Sequence, residues 1–267
     1  MAGNTFIELS SNQNQNIKRI RKLKRKKYRE EFQEFILEGS QIIEAAISMA
    51  GNIKEVYISK EVYRDENIQK LIDLFDESAD IYMLEPGLFA EISETVNSQG
   101  VIAVAGIRDY ALESLIASNS PLLLLAGLQD PGNAGTLIRS ASAAGFTGVI
   151  ALKGTVDIYN PKVIRASMAG VFDLELIKNV EIETLKRKLN YSSRRLILAE
   201  PDAEKTYYDF DFREDDILAI GNEARGISDE LFGLDHQSIS IPIRGKIESI
   251  NAAMAGTILM FEMVRSI

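Results

Sequence analysis

The chain has no cysteine, no tryptophan, a single histidine and no long apolar run. Without cysteine there is no disulfide framework, no thiolate nucleophile and no cysteine-built zinc site. With His236 the only imidazole, a histidine metal cluster or a Ser-His-Asp triad has no material, and no metal site is expected; followed by Gln237 before a strand, His236 reads as loop decoration. No stretch of 18 or more apolar residues offers a bilayer span, and the N-terminus lacks the basic-then-apolar order of a secretory signal, so a cytoplasmic location is expected. No Gly-x-Gly-x-x-Gly opens a helix and no Walker lysine follows a glycine run, which removes the common phosphate cradles.

What is present fits a globular protein of one or two domains: 267 residues, 46% hydrophobic and 26% charged. The net charge of −9 is unevenly spread. Nine of the 30 basic residues lie between Lys18 and Arg29, and Glu8 is the only acid before Glu30, so residues 1–29 carry +8 and the remainder −17. A solvated tail is the ordinary reading of a charge run. Against it, Ile17, Ile20 and Leu23 recur at helical spacing, and nine clustered cations make a phosphate-binding surface. Lys18, Arg19, Arg21, Lys22, Lys24, Arg25, Lys26, Lys27 and Arg29 are therefore candidate nucleic-acid contacts.

Residues 1–16, rich in Asn, Gln and Ser, read as a disordered lead-in, and residues 1–29 together as a disordered basic extension. Residues 30–108 alternate short strands and helices, including "EFILE", a helix from Ser40, "KEVYIS", a helix over about 65–77, "DIYML" and "GVIAVAG"; they predict a small α/β domain. Residues 109–120 read as a linker. From Pro121 to residue 267, apolar strand and helix alternate again, starting with "PLLLLAGL", and predict a largely parallel sheet covered on both faces. Ligands of such sheets sit beyond the carboxyl ends of the strands.

Three strand-end loops hold residues that folding alone does not demand. The first, "GLQDPGNAGTLIRSASAAG", opens a helix at Asn133 and places Arg139 one and two-thirds turns later. The second, "LAIGNEARGIS", runs from a buried strand through Asn222 and Glu223. The third, "IPIRGKIESINAAMAG", sets Ser249 and Asn251 at the mouth of a helix whose next residues are almost all small. Singly these are equally consistent with helix caps, a solvated arginine and tight packing, and a glycine-flanked loop after a strand suits a dinucleotide as well.

Taken in order, the three loops resemble the sequence motifs of the SpoU (TrmH-like) class of the SPOUT superfamily, S-adenosylmethionine-dependent RNA ribose 2′-O-methyltransferases. Residues 30–108, more loosely, resemble the substrate-binding domain of that family, akin to ribosomal proteins that bind kink-turn RNA. The resemblance implies an α/β fold whose C-terminal parallel-sheet domain carries a deep trefoil knot, which no periodicity argument reaches. It implies a cofactor site at Ala199, Glu200, Ile220, Gly221, Asn222, Ile241, Ile243 and Ile250, and catalytic roles for Arg139, Asn133, Glu223, Ser249 and Asn251. It further implies S-adenosyl-L-methionine as cofactor, RNA as partner (ribosomal first, transfer RNA second), and a homodimer through the knotted domain. An antibiotic-resistance methyltransferase of the same build, a non-catalytic RNA-binding protein and an α/β enzyme using another nucleotide are the competing readings.

Overall fold

In a computed structural model of the chain, residues 6–75, 79–95 and 97–267 are described. Residues 1–5 of the expected lead-in, and the far end of the helix expected over 65–77, lie outside them. The chain divides into two units, Met1–Arg108 with Tyr159–Phe172, and Asp109–Ile158 with Asp173–Ile267.

The first unit begins with β1 (Phe6–Leu9), α1 (Gln15–Leu23), α2 (Lys26–Phe32) and β2 (Glu34–Glu38). Then come α3 (Ser40–Ser48), β3 (Ile53–Ser59), α4 (Glu66–Ile72), β4 (Asp80–Leu84), α5 (Pro86–Ile92) and β5 (Val101–Gly106). Its sheet has the order β1-β4-β3-β5-β2, with β5 antiparallel to both neighbours and the other pairs parallel.

The disordered basic extension is corrected here. Residues 6–32 are ordered, because the stripe Ile17, Ile20 and Leu23 is wholly buried in a core with Ile36, Tyr57, Ile92 and Ile102. Burying three large aliphatic side chains stabilises by about 1.5–3 kcal/mol each, enough to order a nine-residue helix that would be marginal alone. Asn14 caps it, its side chain accepting from Asn16 N at 2.8 Å. The cations of this segment are thereby sorted. Arg29 is buried and donates to Leu23 O at 2.7 Å, which removes it from any RNA-facing set. Arg19 pairs with Glu34 and Glu55, Arg21 with Glu91, and Lys26 with Glu30 at 3.7 Å, while Lys24 donates to Ser93 O at 2.8 Å.

The second unit begins with α6 (Leu112–Ala117), β6 (Leu122–Ala126), α7 (Pro131–Ala143) and β7 (Gly148–Leu152). The excursion α8 (Pro161–Ser167) and α9 (Gly170–Asp173) belongs, but for its last residue, to the first unit, where Tyr159 and Phe172 pack on Phe35. The chain returns with β8 (Glu175–Val180), α10 (Ile182–Leu189), β9 (Leu196–Ala199), β10 (Ile217–Gly221), α11 (Asp229–Phe232), β11 (Gln237–Ile239) and α12 (Ala252–Ser266). All six strands are parallel, in the order β11-β9-β10-β6-β7-β8. Strands β6, β7 and β10 are buried throughout, as central strands of a doubly covered sheet must be. The chain extends one way from β6 through β7 and β8 and the other way through β10, so the ends of β6 and β10 flank a topological switch point.

The expected linker 109–120 is instead part of this unit. Leu112, Leu115 and Ile116 of α6 are core residues, and Arg194, 7% exposed, donates to the carbonyls of Ile116 at 2.7 Å and of Ser120 and Asp215 at 2.9 Å. A buried guanidinium thus satisfies the carbonyls that a six-residue helix leaves open at its end.

Ile20→Ala tests the ordered N-terminus. It should destabilise the protein by about 2–5 kcal/mol in urea unfolding, whereas a disordered extension would register no change. For the same reason, deleting residues 1–29 should unfold the first unit rather than merely lower its affinity for RNA.

Candidate active site

A cavity of about 270 Å³ opens at the carboxyl ends of β9 and β10 and beyond β11. Ala199, Glu200, Ile220, Gly221, Asn222, Ile241, Ile243 and Ile250, all named from the sequence, line it together with Glu223 and Ser249. Ile241 to Ile250 is an irregular stretch whose main chain makes no hydrogen bond among the described residues. Ten residues of peptide beside a pocket thus keep donors and acceptors that a ligand can use.

Glycine is required at two places. A Cβ on Gly221 would lie 2.4 Å from the carbonyl carbon of Gly226, because residues 222 and 226 close a tight loop through Asn222 N to Gly226 O and Gly226 N to Asn222 O, both 2.9 Å. A Cβ on Gly256 would lie 2.4 Å from Leu137 and 3.1 Å from Ile220, so α12 approaches α7 and β10 only because that position is bare. The small residues behind Asn251 therefore serve close packing at Gly256 and leave room for the cavity at Ala252 and Ala255.

The polar residues of the three loops form one directed chain. Glu223, an ionised acceptor, receives Gln129 N and Asp130 N at 3.2 Å and Asn133 Nδ2 at 3.0 Å. With its amide group committed there, Asn133 turns its carbonyl to Asn251 Nδ2 at 2.9 Å. Asn251 in turn spends its own carbonyl on Ala253 N at 2.8 Å and Met254 N at 3.2 Å, capping α12. Asn222 binds the first loop separately, donating to Gly127 O at 2.9 Å and accepting from Ala224 N and Arg225 N. Burial raises the Glu223 carboxyl, but the hydrogen bonds from Asn133 and the loop amides outweigh it and hold the group below the ordinary carboxylate range.

Residues 120–261 match the SpoU rRNA Methylase family, and residues 14–103 match the MRM3-like substrate binding domain. The chain belongs to the SpoU rRNA methylase family. It is 28% identical over 256 residues to the 23S rRNA (guanosine(2553)-2′-O)-methyltransferase RlmP of Bacillus subtilis, covering 96% of this chain and 98% of that one. The AdoMet-bound rRNA methyltransferase from Sinorhizobium meliloti superposes with a TM-score of 0.86 at 25% identity, over 97% of this chain and 98% of that one. The SpoU methyltransferase AviRb from Streptomyces viridochromogenes, in complex with AdoMet, gives 0.85 at 25% identity, over 95% and 98%.

Not every residue expected from the SpoU motifs reaches the cavity. Asn133 and Asn251 stand behind the cavity wall in the amide chain and do not line it, and Arg139 lies exposed on α7, its side chain without hydrogen bond or ion pair among the described residues and also away from the pocket. Two expected caps are corrected. Asp130, not Asn133, caps α7, accepting Asn133 N at 2.8 Å with Pro131 in the first turn; Asn251, not Ser249, caps α12. Both corrections have the same cause, since the cap falls where the side-chain oxygen meets the first free amides of the helix. Sequence reasoning missed Gln129 and Asp130 as holders of Glu223, although the Asp-Pro pair signals a cap followed by its first helical residue.

The Glu223 carboxyl sits below its unfolded value, so its contribution to stability is present above the unfolded pKa and disappears as pH falls through the folded one. Glu223→Gln should therefore be less stable than the parent at neutral pH, and the two should converge as the pH drops below about 4.3. Thermal unfolding across that range checks this; a gap that persists in acid would contradict it.

Proposed function

We propose that the chain is an S-adenosylmethionine-dependent methyltransferase acting on a ribose 2′-oxygen of structured RNA, with ribosomal RNA as the substrate. The single observation carrying this is the convergence of the second and third SpoU motif loops, with the loop after β9, on one cavity at the carboxyl ends of a parallel sheet, the first motif loop being tied to them through Asn133 and Asn222. The cavity suits the cofactor. Ile220, Ile241, Ile243, Ile250 and Leu259 give apolar walls for its base, and the unbonded peptide of residues 241–250 would meet its polar edges. Glu200, fixed by a hydrogen bond from Ser238, is the carboxylate for its hydroxyls.

When bound, the cofactor supplies a methyl group already activated by a sulfonium. The work left to the chain is positioning: holding the ribose oxygen in line at about 3 Å can lower the barrier by roughly 7 kcal/mol or more. Arg139 would neutralise charge developing on the 2′-oxygen or hold the neighbouring phosphate. A guanidinium holds its proton too tightly to be well suited as the base. Asn133, Glu223 and Asn251 keep the loops in register, and Ser249, at the cavity wall, offers its hydroxyl to the substrate.

Because Arg139 stands apart from the cavity of its own chain, the reading includes a homodimer in which it serves the partner's site. The apolar stripe Met254, Ile258 and Phe261, which are 61%, 39% and 47% exposed on α12, supports that interface. The reading also includes a trefoil knot. The chain leaves β11 at the edge of the sheet and returns as α12 against α7 and β10, which is the path a threaded C-terminus needs. No helix among the described residues is long and apolar enough to cross a membrane, and we place the activity in the cytoplasm.

Arg139→Ala should leave calorimetric S-adenosylmethionine affinity within about twofold and reduce methyl transfer at least 100-fold, the scale of one lost charge-stabilising donor. Transfer at the parental rate would remove the arginine from the mechanism.

A further inference from the structure

Of the nine clustered cations, five are engaged within the protein and four are left over. The side chains of Lys18, Lys22, Arg25 and Lys27 are exposed and make no hydrogen bond or ion pair among the described residues. Two of them meet one ring. The Lys22 ammonium lies 5.3 Å and that of Lys27 5.7 Å from the centre of Tyr28, and Tyr28 itself stacks on Phe32 with centroids 5.9 Å apart and planes at 27°.

We infer that Tyr28, flanked by Lys22 and Lys27 in a segment that also exposes Lys18 and Arg25, is a stacking site for an unpaired base of the RNA. Two independent features point there. Tyr28 is half-buried, its back supported by Phe32, yet its π system is met by ammonium groups rather than by core side chains. A lysine over a tyrosine face is a weak, exposed contact, easily exchanged for a base stacked on the ring with the ammonium moved to its phosphate. The charge is also one-sided. Of the acids near the segment, Glu34, Glu55 and Glu91 are paired with Arg19 and Arg21 and Glu30 with Lys26, which leaves the exposed Glu31 against four free cations and a net attraction for phosphate. Aromatic rings flanked by cations take single-stranded bases, because every base offers a π face, whereas a paired duplex hides its faces and engages the cations only.

The inference rests on RNA being the substrate, and the test separates the two. Fluorescence anisotropy would compare a hairpin RNA with an unpaired adenine-rich loop against a fully paired duplex of equal length. Tyr28→Leu, which keeps an apolar side chain on Phe32 but removes the π face, should lose about tenfold in affinity for the hairpin and none for the duplex, with an unchanged salt slope. Tyr28→Phe should restore the hairpin preference. Lys22→Gln combined with Lys27→Gln should instead flatten the salt dependence on both RNAs by roughly one to two units. A 2-aminopurine in the loop should be quenched by the parent and by Tyr28→Phe but not by Tyr28→Leu. Equal hairpin affinity in parent and Tyr28→Leu, with methyl transfer intact, would overturn the stacking site and leave the methyltransferase reading standing. Failure of the parent to bind either RNA would overturn both.

Discussion

The catalytic unit depends on one asymmetry of hydrogen bonding: an ionised carboxylate can only accept. Because Glu223 accepts, Asn133 must present its NH₂ to it; because that NH₂ is committed, the Asn133 carbonyl is free for Asn251; and because the Asn251 carbonyl caps α12, its NH₂ is free for Asn133. Each side chain is used at both ends and no link can be reversed. Loops separated by about a hundred residues are thereby fixed relative to one another with one polarity, from a helix N-terminus to a carboxylate. An aspartate at 133 would set two carboxylates against each other, and a helix lacking the Asn251 cap would leave the chain without its anchor.

Close approach of backbones makes this chain of bonds reachable. Gly221 lets the loop after β10 fold back on Gly226, and Gly256 lets α12 lie against Leu137 and Ile220, so that Asn251 arrives beside Asn133. The same closeness leaves an apolar recess rather than a filled core, since the alanines of α12 stop short of the isoleucines opposite. Packing and ligand binding are thus not alternative explanations for the small residues of the third motif; both follow from one placement of the helix.

Much of this was legible in the sequence because it is local. Fully apolar strands such as "PLLLLAGL" could only be central in a parallel sheet, and strand ends marked the functional loops. What escaped was what depends on partners distant in sequence. The charge of residues 18–29 suggested a solvated tail, and only the core that receives Ile17, Ile20 and Leu23 reveals why it folds and why five of its cations are consumed. The helix at 112–117 is too short to declare itself and is held by Arg194, some eighty residues later. Asp130 was overlooked in favour of Asn133, although the following proline marks it as the cap. The excursion of residues 159–172 into the first unit left no trace in a pattern of alternating strands and helices.

The most direct measurement of the central claim is a double-mutant cycle on cofactor affinity, using Glu223→Gln and Asn251→Ala singly and together in titration calorimetry with S-adenosylmethionine. If the amide chain holds the loops as one unit, either change should release most of the constraint, and the double variant should bind only slightly more weakly than the worse single one. Losses that simply add, within about 0.5 kcal/mol, would mean that the two residues act independently and that the directed chain does not organise the site.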